Sequence, residues 1–303
     1  MAPNVICTHL LDKANVGDVM SCPSHYFTFD GEMVSPIDVR ELASSPETPK
    51  AVILGGGGLL DHDYIRSAVD EIVAKGSPVV AWGVGQNRHT RAFGQWVSDD
   101  GWQRVKNLIK RNLEKSGKRA KFDFSDWQPK LEDIAEQTRQ FALIGVRDDI
   151  PGTTWVPCAS CMSPLLDKYR NVTPTRKIVV HEHPMFMGLR ISRYPKLPNL
   201  EQSFDQTLAF LASARIVVTS SYHGAYWSTL MGRKVVCVPW STKFFGFRHK
   251  PEMSYDLTDL PDRIRSAREY PEALEECRQA NLKFASLVSE KLKMGIEPIR
   301  GEG

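Results

Sequence analysis

A four-residue apolar run, Ala51-Val-Ile-Leu54, followed without a spacer by four glycines, Gly55, Gly56, Gly57 and Gly58, constrains this chain more than any other stretch. A short continuous apolar run bounded by turn residues reads as a strand buried on both faces, the kind that fills a parallel sheet. One glycine suffices for a turn, so four in succession favour a loop whose backbone approaches a ligand closely, without interference from Cβ atoms. A helix is expected from about Asp63 to Ala74. The glycine spacing fits neither GxxxxGKS/T nor a clean GxGxxG, so nucleotide binding is not signalled.

The same grammar recurs along the chain. Asn4–Thr8 reads as a first strand, followed by a polar turn, Lys13 to Asp18, and a helical stretch through Phe27. Pro78–Trp82 leads into the loop from Gly83 to His89, and Phe141–Val146 into Arg147-Asp148-Asp149. Later strands are expected at Lys177–His181 and Ile216–Thr219, with helices over 201–213 and from about Pro271 to Lys293. Repeated strand, polar loop and helix units predict an α/β chain of two Rossmann-like, doubly wound domains. Pro151, Pro157, Pro164 and Pro174 punctuate 152–175, which reads as a linker. The expected division is 1–155 and 156–303.

The second half is organised around Arg215 to Pro239, a buried strand, a polar hinge, a short helix and another buried strand. His223 sits where strand becomes helix. Ser220 and Ser221 are placed to cap that helix, whose exposed N–H groups favour an anion beside the imidazole. In open α/β sheets ligands gather at the carboxyl ends of strands, so the pocket is expected here. Asp18 has two readings: a helix N-cap, contributing about 1 kcal/mol, or a general base aimed at the cleft.

At 303 residues, with 42% hydrophobic and 25% charged residues, the chain is long enough for two globular domains. A net charge of +3 argues against a dedicated nucleic-acid surface. No run of 18 apolar residues occurs, and the first residues lack a long apolar core with a cleavage site, so a cytoplasmic protein is expected. The segment from Lys106 to Lys130, rich in Lys and Arg with interleaved Phe122, Phe124 and Trp127, reads as a solvated helix and connector. Its alternative is a peripheral contact with an acidic carrier or the inner membrane face.

Six dispersed cysteines do not make a disulfide scaffold. Cys158 and Cys161, with His181 and His183, supply four potential zinc donors, but the histidines stand closer than metal-ligand pairs usually do. Structural or substrate-side cysteines are the favoured reading, and no metal is expected.

Four motifs in order carry a resemblance to a known family: Asn15-Val-Gly-Asp18, Ile53-Leu-Gly-Gly-Gly-Gly-Leu59, Val146-Arg147-Asp148 and Ser220-Ser-Tyr-His-Gly-Ala225. Across roughly residues 5 to 250 the chain resembles the polysaccharide pyruvyl transferases. The resemblance implies a GT-B-like fold, two domains facing a cleft, and transfer of the enolpyruvyl carbons of phosphoenolpyruvate to sugar hydroxyls as a ketal. It implies no cofactor beyond phosphoenolpyruvate as co-substrate, and a saccharide acceptor, free or lipid-linked, held by the first domain. By the same resemblance His223 is the phosphate ligand or general acid and Asp18 the base. Arg147, Ser220, Ser221, Tyr222, Gly224, Lys243 and Arg248 form the donor site, and Asn15 with Gly55–Gly58 forms the cleft loop. A hinge histidine is expected to contribute little core burial.

Two departures stand out. Many relatives carry arginine two positions before the histidine, where this chain has Ser221, and Arg233, Lys243 or Arg248 is expected to replace that cation. Pro157-Cys158-Ala159 stands where relatives often read Gly-Asp-Pro. The competing readings are a sugar-nucleotide GT-B glycosyltransferase, for which no Glu-x7-Glu-like pattern is found, and a non-catalytic glycan- or anion-binding protein.

Overall fold

The computed structural model describes residues 5–44, 48–88, 131–183, 191, 193–255 and 257–299. Two five-stranded parallel sheets form the frame. The first contains β1 (Val5–His9), β3 (Ile37–Asp38), β4 (Ala51–Leu54), β5 (Val79–Val84) and β6 (Leu143–Val146), in the order β3-β1-β4-β5-β6. The second contains β7 (Arg176–Glu182), β8 (Lys196–Pro198), β9 (Ala214–Thr219), β10 (Lys234–Cys237) and β11 (Glu252–Met253), in the order β11-β10-β9-β7-β8. A small antiparallel ribbon joins β2 (Phe27–Phe29) to β12 (Ile296–Pro298). Numbered within its own sheet, each half has the doubly wound order 2-1-3-4-5. The order reverses between the first and third strands, so the ligand crevices belong beside β1/β4 and β7/β9.

The helices among the described residues are α1 (Val16–Val19), α2 (Asp63–Ala74), α3 (Leu131–Gln137), α4 (Leu165–Arg170), α5 (Phe204–Ala212), α6 (Tyr222–Leu230), α7 (Leu260–Ser266) and α8 (Ala273–Leu292). In α2, Ile65, Ala68, Val69 and Ile72 fall on one face and are buried against the first sheet, while the other residues meet solvent. Helix α5 begins in a capping box, Ser203 Oγ accepting from the Gln206 N–H while Gln206 Oε1 accepts from the Ser203 N–H. None of the described helices is long and apolar enough to cross a membrane.

The expected helix through Phe27 is not formed. Helix α1 is a single turn, and Pro23, which has no N–H to continue a helix, opens a short 3-10 turn over Pro23–His25 before β2. The stretch 152–175 is packed rather than loose: Cys161 and Leu166 are fully buried, and Tyr226 Oη and Trp227 Nε1 each donate 2.9 Å bonds to Cys158 O and Ser160 Oγ. The strands of the first sheet all precede this stretch and those of the second all follow it. The end of the chain then returns to the first sheet. Phe284 on α8 meets Trp82 edge-on at 5.2 Å, and Asn281 Oδ1 accepts from Trp82 Nε1 at 2.8 Å. The basic stretch 106–130 and His89 lie outside the described residues.

Candidate functional site: a cleft between two switch points

Both crevices open into one cleft of about 340 Å³. Leu10 and Asp12 reach it from beyond β1, Asn15 and Asp18 from α1 and its lead, and Gly56–Gly58 from beyond β4. The facing wall comes from the second sheet: His183 after β7, Asn199 after β8, Ser221–His223 after β9, and Trp240 and Lys243 after β10. Arg147, which follows β6, reaches across from the first half.

The glycine loop is tied down by its backbone. Gly55 N–H donates to Thr8 O at 2.7 Å, and Gly85 N–H donates to Gly57 O at 2.9 Å. Gly57 has φ +120°, a conformation that residues bearing a Cβ rarely adopt. With no side chains from Gly56 to Gly58, this wall presents backbone to the cleft.

Asn15, rather than Asp18, caps α1. Its Oδ1 accepts from Gly17 N–H at 3.1 Å and from Asn199 Nδ2 at 2.7 Å, a bond that joins the two halves, while its Nδ2 donates to Asp18 Oδ2 at 2.8 Å. The capping reading of Asp18 is therefore corrected: its carboxylate sits one turn further on and lines the cleft. Burial pushes its pKa up to about 6, and the Lys243 charge keeps it from rising further.

Across the cleft, Ser221 caps α6 by accepting from Gly224 N–H at 3.3 Å. Ser220 lies behind the wall, its Oγ accepting from His183 N–H and its carbonyl from Trp240 Nε1. His223 is only 6% exposed, packed 5.4 Å from the Tyr222 ring and 5.2 Å from that of Trp227. This corrects the expectation that it contributes little burial; it sits at the cleft wall with most of its ring in the core. A Cβ at Gly17 would overlap the imidazole, so the Asn15–Asp18 motif is glycine at its centre because His223 occupies the space. The Nε2 atom is buried and has no hydrogen-bond partner. Burial, and then repulsion from Arg147, Lys243 and His181, hold the imidazole well below its ordinary pKa, so His223 is neutral in the ligand-free cleft.

The two cations are themselves buried. The Arg147 guanidinium lies 4.2 Å over the Tyr222 ring, with its Nη2 donating to Gln86 O. Lys243 Nζ lies 4.1 Å from the Trp240 ring centre. Burial and then the Arg147 charge push the Lys243 pKa down to about 7, against the pull of Asp18. Of the three cations expected to substitute at Ser221, Lys243 is in the cleft and Arg248 and Arg233 are not. Arg248 is exposed and stacks 4.4 Å over Trp155, because its neighbour Phe247 takes the inward position against Tyr222. Arg233 donates to Tyr169 O and Val172 O. Gly55 packs on Pro23 and Gly224 on His181, both behind the lining.

The six cysteines are free and buried, and burial pushes the Cys161 thiol up to about 12. Burial also drives His181 down to about 4. Among the described residues the group of His, Cys, Asp and Glu near enough to share an ion is His249, Glu272 and Glu276, at the start of α8 and absent from the cleft lining; the cysteine–histidine quartet is not assembled. Sequence reading left Asp12, Asn199 and Trp240 out of the site and weighed His183 only as a zinc donor. All four lie within three residues of a strand's carboxyl end, where a doubly wound sheet places its ligand groups.

Fold and site define a two-sheet α/β protein with a buried, cation-lined cleft at paired switch points. Residues 136–242, which carry Arg147 and the Ser220–Gly224 hinge, match the polysaccharide pyruvyl transferase family. The resemblance read from the motifs holds over that stretch. Among solved structures the chain is similar to a protein described as functionally uncharacterized, KP1_0663 from Klebsiella pneumoniae subsp. pneumoniae NTUH-K2044, with 14% identity, a TM-score of 0.38, and coverage of 78% of this chain and 84% of that one. No curated protein matches.

Proposed function

We propose that the cleft transfers the enolpyruvyl carbons of phosphoenolpyruvate to two hydroxyls of a saccharide, free or lipid-linked, forming a pyruvate ketal, and that the facing sheets are a GT-B-like arrangement. One observation carries the reading: a neutral buried histidine, two buried cations and a carboxylate of raised pKa line a single cleft. The donor brings a carboxylate and a phosphate, which Arg147 and Lys243 meet with charge-assisted hydrogen bonds in a site shielded from water. Lys243 takes the place of the arginine absent at Ser221.

The arriving phosphate reverses the electrostatics at His223. A dianion beside the ring favours imidazolium, so donor binding loads the acid that the free cleft keeps neutral. His223 then delivers its proton to the methylene carbon, making a methyl group and an oxocarbenium-like centre at the adjacent carbon. The first sugar oxygen bonds to that centre while Asp18 takes its proton, a role suited to a carboxylate with a pKa near 6. The carbon–oxygen bond to phosphate breaks, and the second hydroxyl closes the ketal. Its proton leaves with phosphate as hydrogen phosphate, and the proton on Asp18 returns through solvent to His223.

The test is incubation with phosphoenolpyruvate and a β-galactoside or β-mannoside. The expected result is phosphate release matched by an acceptor mass gain of one pyruvate less one water. Turnover with a nucleotide sugar and none with phosphoenolpyruvate rejects the reading, and binding of phosphoenolpyruvate without turnover favours an anion-binding protein.

A further inference from the structure

The second sheet has a second polar end. At the amino ends of β7, β9 and β10, pointing away from the cleft, lies a groove of about 640 Å³ lined by Arg176, Lys177, Arg215 and Lys234, with Pro174, Thr175 and Ile216 in its walls. Glu269 is the single acid among the described lining residues. Arg176 donates to Ser213 Oγ, while Lys177, Arg215 and Lys234 have neither an ion-pair nor a hydrogen-bond partner among the described side chains. Lys177 and Arg215 lie side by side between the bridge pairs Arg176–Ala214 and Ile178–Ile216. Like charges abreast on adjacent strands oppose sheet formation, so the arrangement does not stabilise the fold.

We infer that this groove binds phosphate-bearing anions, with contacts to at least two phosphate groups. The spacing sets that number. Adjacent strands stand about 4.8 Å apart, so the backbones that carry the cations of β7 and β10 lie about 10 Å apart. The register puts Arg176 and Lys234 on one face of the sheet end and Lys177 and Arg215 on the other, a wider distribution than one phosphate spans. The shared chemistry has two sources: the headgroups of an anionic bilayer, or a soluble oligophosphate. The inference stands on the groove alone and does not depend on the reaction assigned to the cleft.

The deciding experiment compares the intact chain with the double variant Lys177→Ala/Arg215→Ala. A second double variant, Lys283→Ala/Lys291→Ala on the exposed face of α8, matches its change in net charge. Each is titrated with phosphatidylglycerol/phosphatidylcholine vesicles, with pure phosphatidylcholine vesicles, and with inorganic pyrophosphate, at low and raised salt. Binding of the intact chain to anionic vesicles or to pyrophosphate, weakened on the order of 30-fold in the groove variant, spared in the α8 variant and reduced by salt, supports the site. Whichever probe binds identifies the source. The cleft is itself cationic, so the groove variant rather than affinity alone decides. The inference is overturned if neither probe binds, if the groove variant binds as the intact chain does, or if the α8 variant loses as much. The groove substitutions fall on exposed strand ends, and unchanged thermal unfolding confirms that the variant is folded.

Discussion

After β4 the chain runs through four glycines; after β9, the counterpart strand of the second sheet, it runs through Ser220-Ser221-Tyr222-His223-Gly224. The frames share one strand order and the loops diverge. The first loop gives the cleft space and backbone, fixed by bonds to β1 and to the loop after β5. The second fills part of that space with an imidazole, which presses so closely on α1 that Gly17 has no room for a side chain. A single topology thus supplies a backbone floor in one half and a histidine-bearing wall in the other. The difference lies in a handful of residues after the third strand of each sheet.

The comparison is broken most severely at His223. Replacing it with glutamine, which keeps most of the packing against Tyr222 and Trp227, is expected to lower turnover by roughly 10²- to 10⁴-fold with the fold retained. Steady-state kinetics beside far-ultraviolet circular dichroism check it, and near-normal turnover removes the acid role. Lys243→Met comes next, with the apparent affinity for phosphoenolpyruvate falling roughly 30-fold or more and appearing chiefly in KM. An unchanged KM would make Lys243 a structural residue.

The pH dependence follows from two opposed titrations. In the proposed reaction Asp18 acts deprotonated, as the base, so kcat/KM is expected to rise as pH passes about 6; Lys243 binds phosphate protonated, so kcat/KM is expected to fall above about 7. A narrow bell is expected. In Lys243→Met the alkaline limb disappears and the acid limb moves up, because the charge that restrains the Asp18 pKa is gone. A flat profile would separate both groups from the chemistry.

The floor is probed through stability instead. Gly57→Ala places a Cβ on a backbone at φ +120° and is expected to cost about 1–3 kcal/mol, read by denaturant unfolding. Ser221→Ala, which removes the α6 cap, is expected to cost about 1 kcal/mol. If Gly57→Ala costs no more than the lost cap, the glycine loop is not under the constraint described.

Local pattern revealed much of this. The β4 run and α2 were legible to the residue, since a short apolar stretch, glycines and a 3.6-residue period depend on neighbours in sequence. That His223, Asp18, Arg147 and Lys243 line the cleft was legible through motif and position. What escaped depends on partners distant in sequence. Asn199 is recognisable only once β8 is known to flank β7, and Arg248 could not be told from Lys243 until Phe247 was seen to take the inward position. The β2–β12 ribbon joins segments some 270 residues apart, as the pairing of Ile296 with Phe29 shows, and no local signal marks either one.

That long-range closure bears on how the molecule is made. Trp82 lies on a strand completed early in synthesis, yet the residues that cover it, Asn281 and Phe284, emerge from the ribosome about two hundred codons later. Until then one face of the first sheet lacks its cover, and the nascent chain carries an apolar surface available to chaperones or to aggregation. A ribosome-bound chain halted before α8 should expose Trp82 to quenchers, and a chain extended through α8 and released should bury it.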